Sequence, residues 1–138
     1  MNMVSVTGGN KFQREIAHKT VGFMIDELLP RFKTLDIEVT LKNMDGDDAV
    51  GYCNMGDNNR EFEIECSKNL TLKDFVTTLC HEMVHVKQYA RNEMSDAGYR
   101  WKKKHINDKT PYFDLPWEKE AYKMQDKLAK KVWDADIL

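Results

Sequence analysis

The chain of 138 residues has few cysteines and no long hydrophobic run. Cys53, Cys66 and Cys80 are odd in number and form no CxxC pair, which indicates reduced thiols in a cytosolic setting rather than a disulfide framework. No run of about 18 apolar residues is found, so we expect no transmembrane helix. Residues 1–10 are polar and lack the basic start and apolar stretch of a secretory signal. They predict a flexible N-terminus on a cytoplasmic protein.

The chain also lacks an excess of charge of either sign. Its 21 lysines and arginines nearly balance its 23 aspartates and glutamates, leaving a formal net charge of −2. This balance is not typical of a nucleic-acid-binding protein. Hydrophobic residues make up 41% of the chain, enough for one core without disulfides. No internal repeat or linker interrupts the sequence, so residues 1–138 are predicted to form a single domain.

Hydrophobic periodicity predicts a small α+β domain. Helical spacing of apolar side chains predicts three helices, over residues 11–29, 72–92 and 116–134. Alternation of apolar and polar side chains predicts three strands, over residues 36–41, 49–54 and 60–67. Because short turns join these strands, we expect a three-stranded, mostly antiparallel sheet. Residues 93–115 contain a glycine, a proline and many charges, and they predict an irregular loop.

The second predicted helix carries the motif HExxH. Residues four apart on a helix lie one above the other, so the imidazoles of His81 and His85 can reach one metal ion. Glu82 lies one step round the helix and can act as a general base toward water. The helical wheel places both histidines opposite the apolar face, and Thr71 marks an N-cap at the start. The pattern therefore predicts a catalytic zinc site.

A third ligand is required, because a catalytic zinc ion usually takes three protein ligands and leaves one position for water. The downstream candidates are His105, Glu118 and Glu120, with Asp96, Asp108 and Asp114 less favoured. His105 lies in a strongly basic stretch, which disfavours a cation site. Glu118 falls on the side of the last helix turned toward the protein, whereas Glu120 flanks a lysine-rich face. We favour Glu118, keep Glu120 as the alternative, and expect a His2Glu site.

These motifs resemble a known family. The HExxH helix followed by a glutamate in a later helix resembles a minimal gluzincin-type zinc metallopeptidase. Residues 115–122 resemble the P-W-E-x-E-A segment of small SprT-like and phage-encoded metallopeptidases. The E-x-x-A pattern of related enzymes maps onto Glu118 and Ala121. Over residues 60–125, the resemblance implies a zincin-like fold and a zinc metalloendopeptidase with one catalytic zinc ion and Glu82 as general base.

The resemblance also implies how a substrate binds. The strand over residues 60–67 is expected to form the rim of the cleft, where an extended protein or peptide substrate adds to its edge. Tyr99 and Tyr112 are candidate oxyanion donors or substrate contacts, as is Tyr89. A phage-encoded protein of this family would act in the host cytoplasm, without a membrane partner. SprT-like proteases that act on DNA-bound proteins carry a third histidine where residues 98–101 have none, so a DNA-repair role is not implied.

An alternative function comes from the basic segment, residues 100–105, which holds four cations and a tryptophan. It would make the chain a metal-binding, DNA-associated or regulatory module of SprT-like type without general peptidase activity. A solvated loop is the favoured interpretation of this segment, so a nucleic-acid partner is not favoured. Glu82 favours the enzyme, because a purely structural zinc site has no use for that carboxylate. The sequence indicates no particular oligomeric state.

Overall fold

A computed structural model describes residues 1–95 and 99–138. The helices in these ranges agree with the prediction: α1 (Lys11–Leu28), α2 (Leu72–Ala90) and α3 (Pro116–Asp134). The larger sheet has four strands: β1 (Met3–Gly8), β2 (Asp36–Lys42), β3 (Gly51–Met55) and β4 (Glu61–Ser67). The α+β class is therefore confirmed. No helix in the described ranges is both long enough and apolar enough to cross a membrane.

The larger sheet is mixed, with the strand order β1-β2-β4-β3. β1 runs parallel to β2 and β2 parallel to β4, whereas β3 runs antiparallel to β4. The prediction of a three-stranded, mostly antiparallel sheet is therefore wrong in both strand number and strand direction. That prediction assumed that strands adjacent in sequence also pair. In the structure β3 instead passes to the outer edge, and α1 supplies the crossover that parallel β1 and β2 require.

Residues 1–10, which the sequence predicts to be flexible, include the strand β1. The backbone N–H of Met3 donates to the carbonyl oxygen of Leu35 at 2.8 Å. The Asn2 side chain donates to the carbonyl of Phe32 at 2.8 Å and accepts from the N–H of Leu35 at 2.9 Å. These bonds hold the start of the chain on the segment that leads into β2.

The local sequence explains both why β1 was missed and how it ends. Val4 and Val6 are half-buried between exposed neighbours, but two valines are too short a pattern to predict a strand. Gly8 ends the strand with a φ of 81°, and a Cβ at this position would overlap the carbonyl oxygen of Leu41. The side chain of Asn10 then caps α1 by accepting from the N–H of Gln13 at 2.8 Å.

The hydrophobic core lies between one face of the sheet and the helices. Alternate residues of β2 and β4 point into it: Ile37, Val39, Leu41, Phe62, Ile64 and Cys66. α2 contacts α1 and the sheet on one side and α3 on the other. The predicted apolar face of α2 is confirmed, and the opposite face, which carries both histidines, is buried as well because α3 covers it.

Two of the three cysteines belong to this core. Cys66 and Cys80 are fully buried, and burial raises the pKa of each thiol to about 12. Both therefore stay protonated near neutral pH and act as small apolar side chains.

The other face of the sheet is open to solvent and carries carboxylates in register. Asp36 of β2 lies beside Glu61 of β4, and Glu38 lies beside Glu63. All four side chains are exposed. Two neighbouring strands thus present like charges side by side, an arrangement that destabilises a sheet.

The segment over residues 93–115 is more regular than predicted. It contains the strands β5 (Met94–Ser95), β6 (Arg100–Trp101) and β7 (Lys104–His105), which form a small sheet, and a 3₁₀ helix (Tyr112–Asp114). The prediction of an irregular loop is therefore wrong for these residues, because strands of two residues are too short to show alternation. The basic segment forms the hairpin β6–β7, with Lys102 and Lys103 at its turn.

Candidate metal centre

His81 and His85 lie one turn apart on α2 and direct their Nε2 atoms at the same carboxylate. Oε1 of Glu118, in the first turn of α3, is 3.1 Å from Nε2 of His81 and 3.2 Å from Nε2 of His85. The ligand atoms of the three residues all lie within 4.8 Å of one another. The residues are 7%, 7% and 8% exposed, in the order His81, His85, Glu118. This buried group could hold a metal ion.

Local sequence fixes the two helices that meet at this group. Oγ1 of Thr71 accepts from the N–H of Asp74 at 3.2 Å, which confirms the predicted cap of α2. Pro116 begins α3, in the first turn, where a backbone N–H has no partner within the helix. The lack of an N–H in proline therefore removes no helical hydrogen bond. Trp117 is buried in the core next to Glu118, so the first turn of α3 is held against α2.

The charges in the group are strongly coupled. Burial opposes ionisation of Glu118, but hydrogen bonds from His81 and His85 outweigh it and lower the pKa of Glu118 to about 2. Burial likewise opposes the charge on His85, but the bond to Glu118 outweighs it and raises the pKa of His85. These opposite pKa shifts indicate an imidazolium–carboxylate pair. A divalent cation can replace the shared proton of such a pair.

The other predicted ligands do not join this group. The carboxylate of Glu120 accepts from Nζ of Lys87 at 2.8 Å and from Nε2 of Gln88 at 3.1 Å. His105 is exposed on β7 and does not belong to the group, and Asp108 and Asp114 are exposed as well. Asp96 and Gly98 lie outside the described residues. Of the two glutamates weighed from the sequence, the structure brings Glu118 to the histidines.

Glu82 is buried beside the same group without belonging to it. The side chain is 5% exposed, and burial raises the pKa of its carboxyl, although the neighbouring His85 and His81 partly oppose the shift. Gly51 of β3 lies against it, since a Cβ at residue 51 would stand 2.9 Å from Oε2 of Glu82. A side chain at that position would therefore displace the carboxylate.

Sequence reasoning missed two glutamines that contact the histidines. Oε1 of Gln125, on α3, lies 2.8 Å from Nδ1 of His81. Oε1 of Gln88, on α2, lies 2.8 Å from Nδ1 of His85. Gln88 lies three residues after His85, a spacing that brings side chains together on a helix and could have indicated this contact. Gln125 is 44 residues from His81, and no local signal indicates its role.

The group opens into a cleft of about 960 Å³. One wall is formed by β3 and the residues before it, and the other by the 3₁₀ helix and α3. β3 is an edge strand, whereas β4 lies between β2 and β3. The prediction that residues 60–67 form the rim is therefore wrong, because β3 covers that side of β4.

The candidate tyrosines differ in position. Tyr112 borders the cleft, and burial together with hydrogen bonding to Tyr122 and Glu118 raises the pKa of its hydroxyl. Tyr89 of α2 also borders the cleft, but it is buried and packs against Phe62 with ring centroids 6.1 Å apart. The ring of Tyr99 packs against Trp117, with centroids 5.7 Å apart. Tyr112 is thus the one of the three that combines exposure with a place beside Glu118.

Comparison with models of known protein families, with curated proteins and with solved structures finds no significant match.

Proposed function

We propose that this chain is a cytoplasmic zinc-dependent peptidase, in which His81, His85 and Glu118 bind zinc and Glu82 is the general base. The observation that carries the proposal is the position of Glu82. Its carboxylate is buried beside the three ligands, borders the cleft, and is not itself one of them. A site that only binds a metal does not require this fourth group.

The donor set fits zinc in a catalytic role. Two imidazole nitrogens and one carboxylate oxygen are typical zinc ligands, and all three residues border the cleft. Structural zinc sites usually take four protein ligands, whereas catalytic sites take three and leave a position open. Zinc bound here would supply Lewis acidity that activates water and polarises a carbonyl.

Glu82 supplies the proton transfers. As general base it takes a proton from the attacking water, and as general acid it delivers that proton to the leaving nitrogen. Burial raises its pKa toward the working pH, which favours a group that must accept and then release a proton. Tyr112 stays protonated because its pKa is raised, so its hydroxyl can donate to a developing oxyanion.

The cleft favours an extended polypeptide as substrate. An edge strand such as β3 can pair with an added strand through its backbone. Aromatic side chains border the opposite wall, where Phe113 is 69% exposed and its ring centroid lies 5.6 Å from that of Tyr122. Apart from the two histidines, the charged residues that line the cleft within the described ranges are acidic: Asp48, Asp74, Glu82 and Glu118. We therefore expect cleavage beside large apolar side chains and away from acidic ones.

The test compares the wild type with Glu82→Gln and Glu63→Gln, using zinc-loaded protein and casein. We expect the wild type and Glu63→Gln, which changes an exposed carboxylate on the open sheet face, to cleave at equal rates. Glu82→Gln should lose about 10²- to 10⁴-fold in rate while keeping its zinc, measured by metal analysis. Mass spectrometry of the digest identifies the residues at the cleaved bonds. Equal cleavage by Glu82→Gln would refute the assignment.

A second candidate is a metal-binding, DNA-associated or regulatory module without peptidase activity. The hairpin β6–β7 favours it, because its four cations are all exposed: Arg100 on β6, Lys102 and Lys103 at the turn, and Lys104 on β7. If the wild type cleaves nothing and binds DNA with strong salt dependence regardless of metal, this candidate replaces the peptidase. Lys103→Glu should then reduce both DNA affinity and its salt dependence.

A further inference from the structure

Two glutamines contact the ring nitrogens of the histidines that face away from Glu118. Gln125 Oε1 is 2.8 Å from Nδ1 of His81, and Gln88 Oε1 is 2.8 Å from Nδ1 of His85. In both imidazoles, therefore, one ring nitrogen faces the ligand group and the other faces a side-chain amide. One amide comes from α2 and the other from α3.

The orientation of Gln88 fixes the proton on His85. Nε2 of Gln88 donates to the carbonyl oxygen of Trp117 at 2.9 Å and to Oε1 of Glu120 at 3.1 Å. Both partners are acceptors, and Glu120 is also paired with Lys87, so the NH₂ group must face them. The side-chain oxygen of Gln88 is therefore the atom that faces His85. Because this oxygen can only accept a hydrogen bond, Nδ1 of His85 must carry a hydrogen and donate it. Nε2 is then the nitrogen that would bind a metal, in place of the proton it shares with Glu118.

The charge of these partners affects how tightly a metal is held. Carboxylates and carbonyls both orient metal-binding histidines, but a carboxylate also increases the basicity of the imidazole. Both partners here are neutral amides, so Glu118 is the charged member of the ligand group. A bound cation then keeps more of its positive charge than it would with carboxylate partners.

We propose that Gln88 and Gln125 are positioning residues that present Nε2 of both histidines to a divalent metal while limiting how tightly the metal is held. The part on metal affinity stands independently of the chemistry. The expectation for the reaction rate rests on the proposed peptidase function. Gln125 is the better test position, since it is half-buried, whereas Gln88 is fully buried and bonded to three partners.

The test measures the dissociation constant for Zn²⁺ by competition with a chromophoric chelator, using the full chain. Gln125→Leu removes the acceptor and should weaken Zn²⁺ binding about 10- to 100-fold. Gln125→Glu keeps an acceptor and adds charge, so it should bind Zn²⁺ at least as tightly as the wild type. Asp126→Asn, at the exposed neighbouring position of α3, should leave the constant unchanged. Thermal unfolding without metal checks that each variant is folded.

Gln88 gives a second, contrasting outcome. A carboxylate at residue 88 would face the Trp117 carbonyl and Glu120 without the hydrogens that Gln88 provides. Gln88→Glu should therefore lower the melting temperature of the metal-free protein, whereas Gln125→Glu should not. Equal melting temperatures for the two variants would show that the orientation derived for Gln88 is wrong.

The remaining outcomes separate this proposal from the peptidase. Wild-type Zn²⁺ affinity in Gln125→Leu would overturn the positioning role, and weakened affinity in Gln125→Glu would overturn the argument from charge. If the wild type cleaves casein, Gln125→Glu should cleave it more slowly despite binding Zn²⁺ at least as tightly. If no variant cleaves any substrate, the peptidase is refuted, while the affinity series still tests the positioning role.

Discussion

At the scale of single residues, two glutamates in the same turn of α3 have different surroundings. Glu118 meets both imidazoles, whereas Glu120 is paired with Lys87 and bonded to Gln88. The direction of each side chain round the helix decides this difference, since positions two apart project on nearly opposite sides. That direction could be read from the sequence, because the apolar stripe of α3 shows which side faces the protein.

Substitution of these two glutamates tests the ligand assignment. Glu118→Ala should lose bound zinc, because only the two imidazoles would remain as ligands. Glu120→Ala should keep stoichiometric zinc, since its carboxylate contacts Lys87 and Gln88 instead. Metal analysis after dialysis against zinc-free buffer measures both. The reverse pattern would assign the site to Glu120.

Gly51 tests the position of Glu82 without changing a charged group. A Cβ at residue 51 would lie 2.9 Å from Oε2 of Glu82 and 2.8 Å from Cγ2 of Thr78. Gly51→Ala should therefore shift the carboxylate and lower the rate of peptide hydrolysis at least tenfold, about 1.4 kcal/mol in the barrier, while zinc content is unchanged. Steady-state kinetics and metal analysis provide the two measurements.

Gly22 offers a matched control for that substitution. It lies within α1, and a Cβ there would meet nothing within 4 Å. Gly22→Ala should leave activity unchanged and raise the free energy of unfolding by about 0.5–1 kcal/mol, because alanine is the better helix former. Equal activity losses in both alanine variants would contradict the close contact at Gly51.

At the scale of elements, local pattern predicted the helices and the strands β2, β3 and β4, but neither β1 nor how the strands pair. The strands β2 and β4 alternate clearly, and caps or prolines mark where α2 and α3 begin. The parallel pairing of β1, β2 and β4 depends on contacts between distant residues, for which a single sequence gives no local signal. The same limit explains Gln125, whose role requires that α3 pack against α2.

The anchoring of β1 can be measured at Asn2. Asn2→Ala removes two hydrogen bonds, with the carbonyl of Phe32 and the N–H of Leu35, and should lower the free energy of unfolding by about 1–2 kcal/mol. Urea denaturation followed by circular dichroism measures the loss. Asn43→Ala is the control, since Asn43 caps an exposed turn through the N–H of Asp45, and should change stability by less than about 0.5 kcal/mol. An unchanged free energy of unfolding in Asn2→Ala would support the flexible N-terminus expected from the sequence.

At the scale of the whole molecule, the ligand group joins two helices that are far apart in the chain. His81 and His85 come from α2 and Glu118 from α3, so a bound metal would connect these two helices. A ligand that binds the native state alone stabilises it by about 4 kcal/mol when its free concentration is a thousand times its dissociation constant. Metal binding should therefore contribute substantially to stability.

Metal removal tests this coupling. Zinc in excess should raise the melting temperature of the chelator-treated wild type by roughly ten degrees or more, measured by scanning calorimetry. Glu118→Ala should show little of this increase, because it lacks the ligand that α3 supplies. A large zinc-dependent increase in that variant would indicate that the metal binds elsewhere.

The row of carboxylates on the open face of the sheet has a consequence for the response to ionic strength. Asp36 beside Glu61 and Glu38 beside Glu63 repel each other across two strands. Lys42, farther along β2, pairs with Glu65 rather than with these four carboxylates. Salt screens the interaction between exposed charges that lie farther apart than about 8 Å at 0.15 M ionic strength, and this screening distance becomes shorter at higher ionic strength. Raising sodium chloride from 0.05 to 0.5 M should therefore stabilise the fold, and Glu38→Gln should reduce that salt effect. A protein held together mainly by surface ion pairs would respond in the opposite direction.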